Sequence, residues 1–268
     1  MADTQGIHCL KGDGVDMKTI VFGAAGWLGR AVLANLAGKH EVRAFDHAPP
    51  AWEVWRDVDG EWNDGEIVHG DIVDFETVDK AIEGVEGIVH MAVHARSYGA
   101  DDQLPFLVNL KGLWNVLEGA RQHGIRRVVH IGSCQTVHPQ GVFFTSDVRR
   151  PDGSLYAVTK RLQEEMCRQF YDAYGLSIIV LRPDGIVDSR LGIGKGRDKL
   201  GPAGVRQRNG WVCRHDLAEA CRLALESTTI DFDIFHTVGT SEADETCNVA
   251  RSREVLGLQY KGDLEQYR

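Results

Sequence analysis

The sequence lacks any apolar run of about 18 residues, the length that a membrane-spanning helix requires. Residues 1–16 are polar and contain glycine, and they lack both the basic patch and the apolar core of a secretory signal. These absences predict a cytoplasmic protein without a membrane span, in which residues 1–17 form a flexible leader ahead of the first strand.

Cysteine is scarce, and the six that are present are scattered without a CxxC pair or a paired histidine spacing. This pattern argues against a zinc site and a disulfide framework, so no metal is predicted and a reducing compartment fits. Positive charge is not in excess either, because 30 Lys and Arg stand against 39 Asp and Glu. The net charge of -9 argues against a nucleic-acid or anionic-membrane binder, although a local basic patch could still meet a small anionic ligand.

What the sequence does contain is a regular alternation of Val- and Ile-rich runs with amphipathic segments. The runs predict strands over residues 18–23, 41–46, 66–70, 87–93, 127–132 and 176–181. The amphipathic segments predict helices over residues 27–37, 75–83, 104–123 and 154–174. Continuous apolar strands separated by amphipathic helices are typical of a parallel sheet covered on both faces. We therefore predict an α/β fold, a Rossmann-type doubly wound parallel sheet.

The remaining part of the chain has a different pattern. Residues 192–210 are rich in Gly, Lys and Arg and show little periodicity. Asp216 is expected to cap a helix that ends near residue 227, followed by a short strand over 233–238 and a last helix over 248–256. We interpret residues 18–268 as a single domain with a small C-terminal portion.

A glycine-rich turn, GAAGWLG at residues 23–29, separates the first predicted strand from the first helix. Gly23, Gly26 and Gly29 allow a tight turn and a close approach of backbone to a pyrophosphate. The helix N-terminus adds N–H groups and the positive end of its dipole. Ordinary strand-to-helix turns contain similar glycines, but this one stands where dinucleotide binding requires it.

Two aspartates follow the second and third predicted strands. Asp46 stands at the position that faces the adenosine ribose, where a carboxylate accepts hydrogen bonds from both hydroxyls and repels a 2′-phosphate. This favours NAD over NADP, although His47 and Arg43 are nearby cations and Asp46 could instead be a solvated turn residue. Asp71 could meet the adenine amino group, but on its own it would be an ordinary turn residue.

Tyr156 and Lys160 are four residues apart on the longest predicted helix, so both lie on one face of it. A free phenol has a pKa of about 10, and a nearby ammonium group favours its phenolate form. Tyr156 could then accept the proton of a substrate hydroxyl while hydride leaves the same carbon. Ser133 begins a polar turn beyond the fifth strand, and its hydroxyl could hydrogen-bond the reacting oxygen. An exposed helical pair and a loop-capping serine are the alternative interpretations.

In their order along the chain, these motifs resemble the extended short-chain dehydrogenase/reductase family, also called the NAD-dependent epimerase/dehydratase family. The resemblance covers residues 18–187 well and includes the segments HMAV at 90–93 and NLKG at 109–112. It implies that Ser133, Tyr156 and Lys160 are catalytic, and that substrate-binding elements lie mainly in residues 183–268. The NAD-binding residues that it implies are Gly23, Gly26, Trp27, Leu28, Gly29, Asp46, Asp71, Ile72, Met91, Ala92, Val93, Asn109, Ile131, Tyr156, Lys160 and Pro183.

The turn after the fifth strand departs from the family's patterns. Dehydratases of the family carry an Asp-Glu pair there, whereas this chain has Cys134 and Gln135, which disfavours elimination of water. In many sugar-nucleotide epimerases the catalytic hydroxyl stands one position later and a tyrosine follows the turn. Cys134 could therefore occupy the position of that catalytic hydroxyl, and His138 could occupy the position of the tyrosine that follows the turn in those epimerases. Gly185 replaces the family's asparagine after the sixth strand, and the C-terminal portion is short for a nucleotide-sugar enzyme.

The compact layout, with RPDGSLY at 150–156 leading into the catalytic helix, is similar to that of uronate dehydrogenases. Those enzymes oxidise a free sugar acid at its anomeric carbon to a lactone. The Asn-His pair of that group's turn is absent here, which leaves the substrate open. The basic loop 192–210 could fold over an anionic substrate as a lid, or it could be solvated. Substrate contacts are expected from His94, Cys134, Gln135 and Arg197.

Together these features predict an NAD-dependent oxidoreductase that acts on a sugar, a sugar acid or a related hydroxyl or carbonyl compound. The alternatives are an NAD-dependent sugar-nucleotide epimerase and a non-catalytic dinucleotide sensor, which the presence of Tyr156 and Lys160 disfavours. By analogy we expect a homodimer formed through the two long helices. The tryptophans after the second strand, expected to cover the adenine side or to pack locally, are Trp52, Trp55 and Trp62.

Overall fold

The computed structural model describes residues 16–95, 99, 101–137, 151–207 and 210–268. Residues 1–15 of the predicted leader lie outside this part, as do His138, Arg150 and Arg208. Met17, predicted to belong to the leader, is fully buried, and its backbone N–H donates to His40 Nδ1 at 3.3 Å.

Ten strands are present in the described residues. They are β1 (Lys18–Phe22), β2 (Glu41–Asp46), β3 (Gly65–His69), β4 (Gly87–His90), β5 (Arg127–Ile131), β6 (Ile178–Arg182), β7 (Gly185–Asp188), β8 (Ile193–Gly194), β9 (Trp211–Cys213) and β10 (Phe232–His236). Seven of them form one parallel sheet in the order β10-β6-β5-β4-β1-β2-β3. The order reverses between β1 and β4, which is where ligands bind in such sheets. The predicted Rossmann-type doubly wound sheet is confirmed.

Helices cover both faces of this sheet. They are α1 (Trp27–Leu36), α2 (Pro50–Glu53), α3 (Arg56–Asp59), α4 (Phe75–Ile82), α5 (Leu104–Phe106), α6 (Gly112–Gln122), α7 (Leu155–Tyr174), α8 (Arg214–Glu226), α9 (Ala243–Thr246) and α10 (Ala250–Glu254). A π-helical turn, Leu107–Lys111, joins α5 to α6, so the helix predicted over 104–123 is continuous in path but not α-helical throughout. No helix in the described part of the chain is long and apolar enough to cross a membrane.

The core consists of two layers because successive strand residues point to opposite faces. Val21, Val89 and Val129 pack against α1 and α8, whereas Ile88 and Val128 belong to the layer under α4, α6 and α7. Each fully buried side chain of this kind contributes about 1.5–3 kcal/mol of hydrophobic stabilisation. The strand predicted over 87–93 ends at His90, so residues 91–93 leave the sheet at its carboxyl edge.

A second, three-stranded sheet with the order β8-β7-β9 lies beside the glycine turn. Its strands have two to four residues, too few for periodicity to reveal them in a glycine-rich segment. The ring nitrogen of Trp27 donates to the carbonyl oxygen of Ile186 at 3.1 Å, which attaches β7 to the start of α1.

The predicted capping role of Asp216 is wrong. Helix α8 begins at Arg214 with Cys213 as its N-cap, because β9 runs directly into the helix. Asp216 therefore lies inside the first turn, where its carboxylate accepts the backbone N–H groups of Lys261 and Gly262 at 3.0 and 2.8 Å. It fastens the C-terminal segment to the domain instead of starting the helix.

Candidate active site

The glycine turn after β1 leaves no room for side chains at two of its glycines. Gly23 has a φ of +86°, and a Cβ there would lie 2.9 Å from the backbone nitrogen of Ala92. A Cβ on Gly29 would lie 2.2 Å from the carbonyl oxygen of Gly23. The N-cap of α1 is Gly26, which offers no side-chain cap to the first N–H groups of the helix. The turn therefore fits a pyrophosphate, which those N–H groups can bind.

Trp27, the first residue of α1, fixes the position of this turn through contacts of its indole ring. Its ring centroid lies 4.5 Å from that of Trp55 and 4.1 Å from the guanidinium carbon of Arg214. Arg214 is in turn held by Asp59 and Asp188, with N–O distances of 2.8 and 2.6 Å. This network joins the glycine turn, the segment after β2 and the small sheet. Sequence reasoning missed it because its members are far apart in the chain and none belongs to a motif.

The other tryptophans of the segment after β2 also pack locally. Trp52 and Trp62 lie against the core layer of α1 and α8, and the guanidinium carbon of Arg30 is 5.3 Å from the Trp52 ring centroid. Trp55 is buried between Trp27 and Arg197. Of the two interpretations that the sequence left open, these contacts support local packing.

Asp46 ends β2 directly beside the glycine turn. One carboxylate oxygen accepts the backbone N–H of Ala25 at 2.9 Å, and the other accepts the backbone N–H of His47 at 2.8 Å. The turn and the carboxylate are thus held together, as a site for a pyrophosphate and its neighbouring ribose requires. Asp71 is exposed and accepts the N–H of Val73 at 2.9 Å.

Residues 91–94 follow β4 and lie against the glycine turn. Met91 is buried, and Ala92, Val93 and His94 are partly buried. Asn109, in the π-helical turn, holds this segment: its side chain accepts the N–H of His94 at 2.8 Å and donates to the carbonyl oxygen of His94 at 3.1 Å. Such π-helical turns often occur at functional sites.

The same Asn109 side chain reaches α7. Its amide nitrogen donates to Thr159 Oγ1 at 3.1 Å, and Thr159 donates to the carbonyl oxygen of Tyr156 at 3.0 Å. Asn109 therefore joins the segment after β4 to the N-terminal turn of α7. A family asparagine at this position was predicted to bind the cofactor; the structure places its side chain in contacts between these two elements.

Ser133 and Tyr156 come together beyond the carboxyl end of β5. Ser133 caps a short 3-10 turn over Cys134–Thr136, where its Oγ accepts the N–H of Gln135 at 3.2 Å. Burial raises the pKa of Tyr156 to about 12, and a hydrogen bond with Ser133 opposes that rise. A second contact binds the 3-10 turn to α7, because Arg161 donates to the carbonyl oxygen of Thr136 at 3.1 Å.

Lys160 lies one helical turn after Tyr156, on the same face of α7. Its ammonium nitrogen is 5.9 Å from the centroid of the Tyr156 ring and donates to the carbonyl oxygen of Ile131 at 2.7 Å. Burial lowers the pKa of Lys160 to about 8, because a buried ammonium ion loses its hydration. The predicted trio of Ser133, Tyr156 and Lys160 is thus assembled at the edge where ligands bind.

Cys134 points away from this trio. Its thiol donates to the carbonyl oxygen of Arg182 at 3.2 Å, and its backbone N–H donates to the carbonyl oxygen of Pro183 at 2.8 Å. Both contacts fasten the turn after β5 to the end of β6. Gln135 is buried in the same turn. The geometry therefore favours Ser133 over Cys134 as the hydroxyl-bearing partner of Tyr156.

Arg197, predicted to bind substrate, lies in contact with the segment after β2. Its guanidinium group donates to both carboxylate oxygens of Asp57 at 2.7 and 2.9 Å, and its carbon lies 4.9 Å from the Trp55 ring centroid. Its φ of +64° is left-handed, an uncommon conformation for a residue with a side chain. The basic loop is therefore attached on the side of the glycine turn.

Comparison with known proteins places these features in a family context. The chain matches the NAD dependent epimerase/dehydratase family over residues 19–190. A uronate dehydrogenase of Agrobacterium fabrum is 34% identical over 172 residues, which are 62% of this chain and 60% of that enzyme. The chain thus matches less than two thirds of that relative's length.

Two further proteins match over longer stretches. An L-arabinose 1-dehydrogenase (NAD(P)(+)) of Haloferax volcanii is 24% identical over 259 residues, which are 90% of this chain and 95% of that enzyme. A mutant uronate dehydrogenase of Agrobacterium tumefaciens, solved in complex with NAD, superposes with a TM-score of 0.69 at 23% identity. The superposition covers 91% of this chain and 84% of that structure and shows a shared fold.

Proposed function

We propose that this chain is an oxidoreductase that transfers hydride between NAD and a sugar or sugar acid. The chain belongs to the NAD dependent epimerase/dehydratase family, and this membership supports the proposal. The observation that carries this proposal is the convergence of Ser133, Tyr156 and Lys160 at the carboxyl edge of the sheet, the edge that also bears the glycine turn. Hydride transfer to or from a carbinol carbon needs a proton acceptor or donor at the same carbon's oxygen. Tyr156 supplies that group at the edge of the sheet where the nicotinamide end of a dinucleotide belongs.

The residues present fit NAD. The glycine turn and the first N–H groups of α1 would hold the pyrophosphate, and the Asp46 carboxylate would accept hydrogen bonds from the adenosine ribose. Bound NAD supplies the site with a hydride acceptor. We assign six residues to the nicotinamide end and its ribose. Five lie at the ends of β4, β5 and β6 and one lies in the π-helical turn: Met91, Ala92, Val93, Ile131, Pro183 and Asn109.

The proton chemistry follows from the two shifted pKa values. Oxidation needs Tyr156 as phenolate and Lys160 as ammonium, yet near neutral pH the phenol, with a pKa of about 12, holds its proton. The fraction of phenolate rises about tenfold per pH unit. Above the pKa of Lys160, about 8, the fraction of enzyme with the ammonium form of Lys160 falls about tenfold per pH unit. This fall cancels the rise in the phenolate fraction of Tyr156. The oxidation rate of the free enzyme should therefore rise up to pH about 8 and then level off.

The relatives guide the choice of substrates for a test. One is named for uronates and the other for L-arabinose, so a panel of free aldoses and uronates with NAD addresses both. We expect net NADH accumulation, monitored by absorbance, with at least one member of the panel. Adding a nucleotide-sugar should not increase the amount of NADH formed. Interconversion of sugar epimers without net NADH, and NAD that persists through purification, would instead establish epimerisation.

We further propose that the protein forms a homodimer through the two long helical segments. Both expose large apolar side chains to solvent, including Trp114 at 47% and Tyr174 at 59% exposure. The other exposed large apolar side chains of these two segments are Leu104, Phe106, Leu107 and Leu162. Large apolar side chains that are exposed together on two neighbouring helical segments are typical of a protein interface.

The Trp114→Glu variant tests this interface, because a charge at its centre would have to be buried on association. We expect light scattering to give about twice the chain mass for the wild type and the mass of one chain for Trp114→Glu. Val255→Glu, at an exposed apolar residue on α10's C-terminal side, is the matched control and should remain dimeric. A monomeric wild type would refute the proposal.

A further inference from the structure

A continuous series of contacts connects the glycine turn to Tyr156. A Cβ on Gly23 would lie 2.9 Å from the backbone nitrogen of Ala92, so the glycine turn and residues 91–94 are in direct contact. The Asn109 side chain binds both backbone groups of His94, at the end of this segment. The series then passes through Thr159, a residue of α7 that the sequence motifs did not single out.

The direction of each hydrogen bond in this series is fixed by its partners. Asn109 Oδ1 accepts the N–H of His94 at 2.8 Å, which leaves the amide nitrogen of Asn109 with two hydrogens to donate. One goes to the carbonyl oxygen of His94 and the other to Thr159 Oγ1, both at 3.1 Å. Because Thr159 Oγ1 is an acceptor from Asn109, its own hydrogen is available for the carbonyl oxygen of Tyr156, at 3.0 Å.

The Thr159 hydroxyl does more than a threonine inside a helix ordinarily does. Such a hydroxyl usually donates to a carbonyl oxygen of the preceding turn and has no other partner within the protein. Here it also accepts the Asn109 amide, and both side chains are fully buried, so bulk water does not compete for either bond. One turn later on α7, Gln163 donates to the carbonyl oxygen of Asn109 at 2.7 Å and strengthens the connection.

Tyr156 needs such a connection because it lies in the first turn of α7, and the ends of helices open more readily than their centres. The turn has a side-chain cap, since Ser154 Oγ accepts the N–H of Ala157 at 3.3 Å. The carbonyl oxygen of Tyr156 accepts the helical N–H of Lys160 and, in addition, the hydroxyl of Thr159. This second bond fastens the first turn to Asn109 and opposes its opening.

We propose that Thr159 is a positioning residue that couples the binding of NAD to the position of Tyr156. NAD at the glycine turn orders residues 91–94, and the Asn109 side chain transmits this order to Thr159. The first turn of α7 then holds the Tyr156 hydroxyl in place for the substrate. The proposal rests on the proposed catalytic role of Tyr156 and on the assignment of residues 91–93 to the cofactor. Thr159 itself acts only through the backbone of Tyr156.

Amide hydrogen exchange, measured by NMR with and without saturating NAD, tests this coupling directly. The probe is the backbone N–H of Lys160, because it bonds to the carbonyl oxygen of Tyr156 and is released when the first turn opens. In the wild type we expect NAD to slow its exchange about tenfold, the scale of a typical coupling between two sites. Exchange that NAD leaves unchanged in the wild type would overturn the proposal, whether or not any variant folds.

Thr159→Val keeps the branched shape of the side chain and removes the hydroxyl. In this variant NAD should slow the exchange of the Lys160 amide less than about twofold, while residues 168–174 of the same helix exchange as in the wild type. Thr159→Ser keeps the hydroxyl and should restore the slowing, which a mere loss of packing would not allow. Thr19→Val is the matched control, because Thr19 is also fully buried but its Oγ1 has no partner among the described residues. It should behave as the wild type does.

These measurements also distinguish this proposal from the proposed function. With a substrate from the sugar panel, Thr159→Val should lower kcat about tenfold, because a misplaced Tyr156 hydroxyl transfers the proton less well, and Thr159→Ser should stay within about twofold of the wild type. A protein that binds no NAD would refute the proposed function. A protein that binds NAD, but in which NAD slows the Lys160 exchange equally in the wild type and in Thr159→Val, would refute the coupling alone.

Discussion

Replacing Tyr156 by phenylalanine is expected to lower kcat for hydride transfer by about 10³-fold, within the range found for positioned acid–base groups. The ring fills the same space, so the fold and the contact between Thr159 and the backbone of residue 156 should persist. What disappears is the hydroxyl that Ser133 contacts and that would exchange the proton with the substrate. The effect should therefore fall on kcat, with a smaller change in the dissociation constant for NAD.

Single-turnover kinetics with the best substrate of the sugar panel, together with NAD titration, would measure both quantities. Tyr174→Phe is the matched control, since it removes a phenolic hydroxyl from the exposed end of the same helix and should keep full activity. If Tyr156→Phe retained more than about a tenth of wild-type kcat, another group would have to be the base and the catalytic assignment would be abandoned.

The Gly29→Ala variant should lose at least 100-fold in NAD affinity. Alanine is favoured over glycine in a helix by about 1 kcal/mol, but here its Cβ would lie 2.2 Å from the carbonyl oxygen of Gly23 and 2.5 Å from that of Ala24. Backbone atoms cannot rotate away as a side chain can, and overpacking of this kind costs about 1–3 kcal/mol or more. The turn must therefore open, which moves the N–H groups of α1 out of position for a pyrophosphate.

Calorimetric titration with NAD and thermal unfolding would separate lost affinity from lost fold. Gly119→Ala is the matched control, because it too lies in a helix but its Cβ would meet only the flexible end of Ile82, at 2.9 Å. That variant should bind NAD normally and unfold within a few degrees of the wild type. Unchanged NAD affinity in Gly29→Ala would show that the dinucleotide lies elsewhere.

The sheet and the residues at its carboxyl edge could be predicted from the sequence for one physical reason. Parallel strands buried on both faces read as continuous apolar runs, and the ends of such strands meet at one edge. The family's motif order therefore predicts Gly23, Asp46, Ser133 and Tyr156 at one edge of the sheet. In the structure Asp46 adjoins the glycine turn and Ser133 adjoins Tyr156, both at the carboxyl ends of parallel strands. The prediction that these residues bind NAD and substrate stays a prediction.

Other features depend on contacts between residues far apart in the chain, which periodicity does not report. The short strands β7, β8 and β9 exist because they pair with one another, and Arg214 is fixed by acids from two distant segments. Asp216 resembled a helix cap because its type suits that role, although the helix starts two residues earlier. The contact between His90 Nδ1 and His130 Nδ1, at 3.0 Å, depends on the register of β4 and β5, which a histidine within each apolar run does not reveal.

The backbone conformation and the contacts of Arg197 affect how stably the basic loop is attached to the segment after β2. Its left-handed backbone is intrinsically unfavourable, and it is held by an ion pair with Asp57 in which both side chains are about half exposed to solvent. Exposed ion pairs are weak and are screened by salt. Arg197 also donates to the carbonyl oxygen of Val54 at 2.7 Å and lies over the Trp55 ring, so we expect rising ionic strength to remove the ion-pair part of the loop's attachment and to leave the other part in place.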